Sequence, residues 1–323
     1  MDSLQLALTN LLTPAILFFL LGFAAGWFKS DLAIPEGAAK TLALVLMLSI
    51  GFKGGVEAAR AGLSPDFLKA AGVGLTLSFG IPVIAFAILK VISRLDRTTA
   101  AATAAHYGSV SIVTFVAGTE FLRVSGVPFG GYMVAVVALM ETPAILAALF
   151  LAGSGAAGRQ GLRRELFREV ALNGSVVLLI GAFFVGLLSG DAGMSKLDVF
   201  VGPVFQGVLV LFLLDMGLVA ARRLSVAKSL SLPLIGFALV MPLISSALAL
   251  GFALLLGLST GNAAVLAILA ASASYIAVPA AMRIALPDAD PGVYLTLSLA
   301  VTFPFNLVFG IPLYTAATAA LIG

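Results

Sequence analysis

Long apolar segments recur from one end of the chain to the other, and they constrain its fold more than any other feature. The sequence is 61% hydrophobic and only 10% charged, whereas soluble domains carry roughly 25% charged residues. Apolar segments of about 20 residues can cross the hydrocarbon of a bilayer as helices, which satisfy their own backbone polar groups. The sequence therefore predicts an all-α polytopic protein embedded in the lipid bilayer of the cell's inner (plasma) membrane.

Composition also excludes several functional classes. The sequence contains no cysteine and a single histidine, His106, which removes thiolate metal sites and the usual zinc and triad chemistries. An intramembrane enzyme would need a nucleophile–base pair or paired aspartates, and the apolar segments hold neither. The net charge of +3 is spread over loops, so no nucleic-acid partner is predicted. No nucleotide-binding motif is present, and no cofactor is expected beyond a coupling ion.

The hydropathy pattern predicts ten spans, five on each side of one basic loop. The first half is 1–153, the short basic linker is 154–169 and the second half is 170–323. Short stretches recur in the same order in both halves, such as "GSVSIVT" at 108–114 and "ASASYIAVP" at 271–279. Because five spans reverse the direction of the chain, two such halves form an inverted-topology repeat, as in secondary transporters. The predicted spans are 14–28, 35–56, 67–92, 98–118 and 127–152, then 170–188, 200–220, 232–258, 262–285 and 293–321.

The basic residues predict the orientation of these spans. Most of the 18 Lys and Arg residues fall in the linker or in loops that share its side of the membrane. Cytoplasmic loops carry an excess of Lys and Arg, so the linker is predicted to be cytoplasmic. Because each half has five spans, both termini are then predicted to be external.

Polar residues interrupt the fourth and the ninth predicted spans at corresponding positions. Broken helices survive in hydrocarbon only where protein or a water-filled cavity satisfies the backbone, and such paired breaks indicate the binding site of a transporter. The N-termini of half-helices offer free N–H groups and a partial positive charge, which suit a small anion. Each hydroxyl alone could instead bond back to its own helix. The predicted substrate-binding residues are Gly108, Ser109, Ser111, Thr114, Ser272, Ser274 and Tyr275.

Further polar residues within the spans are candidates for a cation site or for coupling. Glu141 is mid-span, where an ionisable group costs at least about 2.5 kcal/mol, so it is either functional or a neutral structural carboxyl. Lys53 and Asp215 fall at equivalent positions of the repeat and either take part or snorkel toward the headgroups. Asn306 either satisfies a freed carbonyl or lines the site, and His106 is a hydrogen-bonded interior group or a proton relay. The candidates are Glu141, Asn306, Thr302, His106, Lys53 and Asp215.

The stretches around the breaks resemble the sodium-dependent bicarbonate transporters of the SbtA type. The agreement is carried by "GSVSIVT" (108–114), "METPA" (140–144) and "AASASYIAVPAAMRIALPDADPGVY" (270–294), and the likeness extends over essentially the whole chain. The resemblance implies that spans 1, 2, 6 and 7 form one domain and that spans 3–5 and 8–10 form a core domain. It also implies bicarbonate as substrate, inward coupling to Na⁺, a homotrimer and a PII-like cytoplasmic regulator.

The sequence departs from the family pattern at the second break. Tyr275 stands where the family has an aspartate, and Ala273 and Ala277 replace serines. A Na⁺ site is built from oxygen ligands and is stabilised by a carboxylate. The sequence therefore leaves open which ion is coupled to transport. Lys53, where the family has threonine, could supply positive charge instead. An organic-anion symporter of the bile-acid type and a cation/proton antiporter remain alternatives.

Overall fold

The described part of the chain is helical throughout. A computed structural model of the protein describes residues 13–61, 65–153, 172, 174–227, 230–275 and 277–323, and these residues form no strand. The predicted linker, 154–169, lies outside the described residues. The helices are α1 Pro14–Trp27, α2 Glu36–Ala61, α3 Pro65–Ile92, α4 Arg97–Gly108, α5 Ile112–Val124, α6 Met133–Ala152, α7 Gly174–Val199, α8 Phe205–Ala227, α9 Leu232–Leu256, α10 Thr260–Ala271, α11 Ala277–Ala285, α12 Pro291–Leu295, α13 Phe303–Phe305 and α14 Ile311–Ile322, with π-helical segments at Phe200–Val204, Thr296–Thr302 and Asn306–Gly310.

Seven stretches of the described chain are long and apolar enough to cross a membrane, and α1 and α10 are shorter apolar helices. One stretch, Val177–Leu224, has 48 residues. A straight helix of that length would measure about 70 Å, more than twice the thickness of the hydrocarbon layer. The chain leaves helical geometry within this stretch at Gly190, where φ is 52° and ψ is −145°. The prediction of a helical protein with several membrane crossings is confirmed.

Short polar residues determine where the central helices begin. Asp96 precedes α4 and its carboxylate accepts a hydrogen bond from the Thr99 amide at 2.9 Å. Burial opposes this charge, but hydrogen bonds from Thr98 and Thr99 hold the pKa of Asp96 below its usual range. Ser111 precedes α5 in the same way, with its hydroxyl accepting from the Thr114 amide at 3.2 Å. Such caps satisfy backbone N–H groups that have no acceptor within their own helix.

Two helix pairs pack so closely that glycine is required at their contacts. α1 packs on α8, and α2 packs on α7. A Cβ atom at Gly55 in α2 would overlap the carbonyl oxygen of Phe183 in α7. A Cβ atom at Gly217 in α8 would likewise overlap the carbonyl oxygen of Phe19 in α1. In lipid, helices associate through this kind of close backbone approach at small residues, so each of these two helix pairs is closely packed.

The remaining helices surround the short helices α4 and α10. α3 contacts α4, α6 and α9, while α10 contacts α9, α5 and α14. The apolar part of the stretch Arg97–Val124 is 94% buried, whereas that of Pro65–Ile92 is only 33% buried. In α10, every residue from Gly261 to Ala271 is buried. The fourth and ninth predicted spans therefore lie at the centre of the protein, where their polar residues are screened from lipid.

The close contact between α2 and α7 can be tested with two alanine substitutions in one helix. Gly55→Ala is expected to lower the free energy of unfolding by about 1–3 kcal/mol, because the new methyl group overpacks the interface. Gly37, also in α2, has no atom within 4 Å of an added Cβ, so Gly37→Ala is expected to be neutral or slightly stabilising. Denaturant titration of the purified protein measures both. Equal stability of the two variants would contradict the packing.

Candidate functional site

The fourth and ninth predicted spans each contain a non-helical connection. α4 leads to α5 through residues 109–111, and α10 leads to α11 through an extended segment that begins at Ser272. Ser109 has φ −87° and ψ 172°, Ser111 has φ −98° and ψ 112°, and Ser272 has φ −78° and ψ 161°. α4 and α10 are each 12 residues long. Two short helices of equal length thus end in extended, serine-bearing segments.

The two extended segments meet and hydrogen-bond each other's helices. The Ser274 amide donates to the carbonyl oxygen of His106 at 2.8 Å. In the opposite direction, the Ser111 amide donates to Ser272 Oγ at 2.9 Å, and this hydroxyl donates to the carbonyl oxygen of Leu269 at 2.7 Å. His106 and Leu269 both lie in the last turn of a helix, where carbonyl groups have no N–H donor within their own helix. The segment that begins at Ser272 therefore satisfies the His106 carbonyl group and the Ser111 amide of the first break.

The N-terminal ends of α4 and α10 are also held by similar hydrogen bonds. Thr99 Oγ1 in the first turn of α4 accepts a hydrogen bond from the Asp290 amide at 3.1 Å. Asn262 in the first turn of α10 accepts one from the Gly130 amide at 2.8 Å and donates to the Tyr132 hydroxyl at 2.6 Å. Thr99 and Asn262 are both buried. Sequence reasoning missed this pair, although each is a polar residue opening a short apolar helix at a corresponding position of the two halves.

All the residues predicted to bind substrate lie at this crossing of the two broken spans, and their hydroxyls differ in availability. The hydroxyls of Ser109 and Thr114 have no hydrogen-bond partner among the described residues, although their side chains are only 1% and 2% exposed. Ser272 is committed to the bridge between the two segments. A buried hydroxyl without a partner costs about 1–3 kcal/mol. The hydroxyl of Tyr275 also lacks a hydrogen-bond partner among the described residues, so Ser109, Thr114 and Tyr275 have hydroxyls with capacity for a ligand.

Tyr275 fills the position at which the resembling family has an aspartate. Its ring contacts Phe303 edge to face, with 5.5 Å between centroids, and its hydroxyl faces the Ser111 side chain. Among the described residues, no three His, Asp or Glu side chains lie close enough to hold a metal ion together. The described residues of the two breaks themselves, 109–111 and 272–275, contain no Asp or Glu.

The comparison with known families agrees with this geometry. The model of the Na⁺-dependent bicarbonate transporter superfamily matches residues 14–319, a range that contains both breaks. The chain belongs to this superfamily. No curated protein matches the chain. Because the superfamily consists of transporters, the protein is a membrane transporter and not an enzyme.

Two of the coupling candidates from the sequence are committed to structural hydrogen bonds in this transporter. Asn306 donates to the carbonyl oxygen of Ala271 at 2.7 Å and accepts from the Tyr314 hydroxyl at 2.8 Å. Asn306 thus satisfies the carbonyl group at the end of α10. Thr302 Oγ1 donates to a carbonyl oxygen of α9 at 2.7 Å, so the Tyr107 hydroxyl, 2.8 Å away, donates to Thr302.

Two buried titratable side chains flank the crossing. His106 Nδ1 donates to the carbonyl oxygen of Ala102 at 2.7 Å, and the imidazole ring stacks on Tyr294 with 4.4 Å between centroids. His106 Nε2 has no partner among the described residues. Glu141 in α6 is 2% exposed, and its Oε2 atom also lacks a partner there. His106 is therefore a hydrogen-bonded interior group, while the Glu141 carboxyl is the buried acid nearest in sequence to the first break.

Lys53 and Asp215 do not pair with each other. Asp215 is buried in α8 at 6% exposure. Lys53 is half-buried, and its ammonium group lies 5.5 Å from the centre of the Phe205 ring. The ion pairs formed by the described residues are Arg60–Asp191, Lys69–Asp66 and Arg123–Glu120.

A cavity of about 490 Å³ separates α2 from α5. Lys53 and Glu57 of α2 line one side, and Phe115 and Glu120 of α5 line the other. Phe115 lies one helical turn beyond Ser111, so the cavity reaches to within one turn of the crossing. Its lining residues are Ile50, Lys53, Gly54, Glu57, Phe115, Val116, Thr119, Glu120, Arg123, Gly126, Val127, Pro128, Phe129, Gly131, Val134, Met194 and Phe205.

The hydroxyl bridge at the crossing can be tested by removing it. Ser272→Ala leaves the buried Ser111 amide without an acceptor, so the free energy of unfolding is expected to fall by about 1–3 kcal/mol. Ser298→Ala is the matched control, because its equally buried hydroxyl bonds back to Tyr294 within the same helix and links no second helix. Denaturant titration compares the two. A Ser272→Ala variant as stable as Ser298→Ala would show that the bridge contributes nothing.

Proposed function

We propose that the protein takes up bicarbonate together with Na⁺ by alternating access, as a secondary active transporter. The observation that carries this proposal is the pair of hydrogen bonds between the two breaks, from the Ser274 amide to the His106 carbonyl and from the Ser111 amide to Ser272 Oγ. Transporters with inverted repeats hold their substrate at such breaks, close to the middle of the bilayer. Membership of the Na⁺-dependent bicarbonate transporter superfamily supports the substrate and the coupling ion.

The proposal includes ten spans in a 5+5 inverted repeat. The stretch Val177–Leu224 is too long for one crossing and bends at Gly190, so it counts as two. The pairs α4–α5 and α10–α11 count as one discontinuous span each, and α12–α14 form the last. The similar anchoring of Thr99 and Asn262 supports the equivalence of the fourth and ninth spans.

We further propose that α1, α2, α7 and α8 form one domain and that the other helices form the core domain. The glycine contacts at Gly55 and Gly217 join members of the first group. The cavity of about 490 Å³ lies between α2 of the first group and α5 of the second. Relative movement of the two groups would open and close this cavity, as alternating access requires.

The crossing supplies groups suited to a small oxyanion. α5 begins at Ile112, and the first N–H groups of a helix point outward with a partial positive charge. The unpartnered hydroxyls of Ser109 and Thr114 add two donors beside that helix end. Bicarbonate has three oxygen atoms, so N–H and O–H donors can bind it together without a charged side chain.

A second candidate function is cation/proton antiport. The buried Glu141 carboxyl, with its Oε2 atom unpartnered among the described residues, is the observation that favours it. Such antiporters hold an acid at the crossing, whereas the described residues of both broken segments contain none. An organic-anion symporter of the bile-acid type is the other alternative. The homotrimer and the PII-like regulator implied by the resemblance remain predictions.

Uptake of labelled bicarbonate into proteoliposomes tests the substrate and the coupling ion separately. We expect an inward Na⁺ gradient to accelerate uptake, and replacement of Na⁺ by choline to remove that acceleration. A bicarbonate uptake rate that does not depend on Na⁺ would contradict the proposed coupling. A protein that moves Na⁺ against a proton gradient but no bicarbonate would support the antiporter instead.

The proposed orientation can be tested by labelling single cysteines, because the natural sequence contains none. Lys40 and Lys196 are both exposed and are predicted on opposite sides. A membrane-impermeant maleimide is expected to label Lys196→Cys in intact cells, and to label Lys40→Cys only after the membrane is opened. The reverse pattern would invert the proposed topology.

A further inference from the structure

We propose that Lys53 forms a docking site for a protonated oxyanion, an anion that keeps an O–H group, in the cavity between α2 and α5. This site is separate from the crossing of the broken spans. The inference rests on the proposed function, since the cavity would be the route by which the anion reaches the crossing.

Lys53 is the cation of this cavity that forms no direct ion pair with a described carboxylate, although Glu120, Glu57 and Asp198 act on it at longer range. The ion pairs of the described residues do not include it, and its contact with a side chain is the cation–π contact with Phe205 at 5.5 Å. The aromatic ring holds the ammonium group beside the cavity without using its N–H donors. All three donors of the ammonium group are therefore available to an anion.

Arg123, the other cation of the cavity, already forms an ion pair. Arg123 binds the carboxylate of Glu120 through two hydrogen bonds, with Nε–Oε2 at 3.0 Å and Nη2–Oε1 at 2.6 Å. Such a two-point pair fixes both side chains and balances their charges. An incoming anion would have to break this pair to use Arg123, whereas Lys53 needs no such exchange.

The remaining polar groups of the lining select among anions. Thr119 Oγ1 donates to the carbonyl oxygen of Phe115 at 2.8 Å, so toward the cavity it offers only acceptor lone pairs. Glu57 also offers acceptors, and its side chain packs against Gly131, where a Cβ atom would lie 2.8 Å from Glu57 Oε2. Acceptors and carboxylates repel a bare anion such as chloride or nitrate, but they accept a hydrogen bond from an anion that carries O–H. Bicarbonate combines both features.

The position of the cavity relates docking to transport. Its wall includes Phe115, four residues along the chain from Ser111, or about 6 Å at the rise of an α-helix. A volume of about 490 Å³ is far larger than one bicarbonate ion, so the anion would dock with water around it. Lys53 would thus raise the local anion concentration one helical turn from the crossing.

The test compares three variants in bicarbonate uptake and in thermal stabilisation by bicarbonate. Lys53→Met is expected to raise the half-saturating bicarbonate concentration about 10-fold, a loss of about 1.4 kcal/mol in binding, with little change in maximal rate. Lys53→Arg keeps the charge and is expected to restore most of the affinity. Lys196→Met is the matched control, because this exposed lysine is predicted on the same side but does not line the cavity. Stabilisation is measured against sodium nitrate of equal ionic strength at constant pH.

Each outcome separates the docking site from the proposed function. If the wild type transports bicarbonate and Lys53→Met matches Lys196→Met in half-saturation, the docking site is wrong and the proposed function stands. If the wild type transports no bicarbonate but is stabilised by it only when Lys53 is present, the docking site stands and the proposed function fails. Equal stabilisation by nitrate would overturn the selection for a protonated oxyanion.

Discussion

The reciprocal hydrogen bonds at the crossing are the constraint on which the rest of the structure depends. Hydrocarbon offers no water to a broken helix, so every freed N–H and carbonyl group needs a protein partner. Here the Ser274 amide reaches His106, and the Ser111 amide reaches Leu269 through Ser272. Neither break could be buried alone, because each supplies the partners of the other. The two breaks are therefore one structural unit, and their central burial follows from it.

In the proposed alternating-access mechanism, movement would have to avoid both the crossing and the glycine contacts. At Gly55 and Gly217 the backbones of paired helices touch, which leaves those pairs no room to slide. The boundary between α2 and α5 is different, because it contains a cavity of about 490 Å³ lined by charged side chains as well as apolar ones. A rearrangement that breaks few contacts would act at this boundary, which agrees with rigid-body rocking of one group of helices against the other.

Sequence reasoning predicted the helical membrane fold because apolar length and polar interruptions are local properties of the chain. For the same reason it placed polar interruptions in the two stretches where α4 and α10 end. It left open whether Asn306 satisfies a freed carbonyl or lines the site, and it gave Thr302 only as a candidate for a cation site or for coupling, because their carbonyl partners lie 35 and 64 residues away. Nor did it find Thr99 and Asn262, since one polar residue in an alanine-rich helix carries little signal. A single hydroxyl or amide acquires its role from tertiary contacts, and those contacts are not visible in local patterns.

Tyr275 changes how Na⁺ and the anion would depend on each other. An aspartate at this position would offset the charge of a bound Na⁺, so the occupied crossing would be close to neutral. With the phenol of Tyr275, the described residues of the two breaks offer Na⁺ only neutral oxygens, and Na⁺ alone would bind more weakly in the proposed mechanism. Once bound, however, Na⁺ leaves an uncompensated positive charge beside the anion site in a low-dielectric interior. Because linkage is reciprocal, in the proposed mechanism the anion would strengthen Na⁺ binding by the same factor, and loss of the acid would tighten the coupling between the two ions even as it weakens the binding of Na⁺ alone.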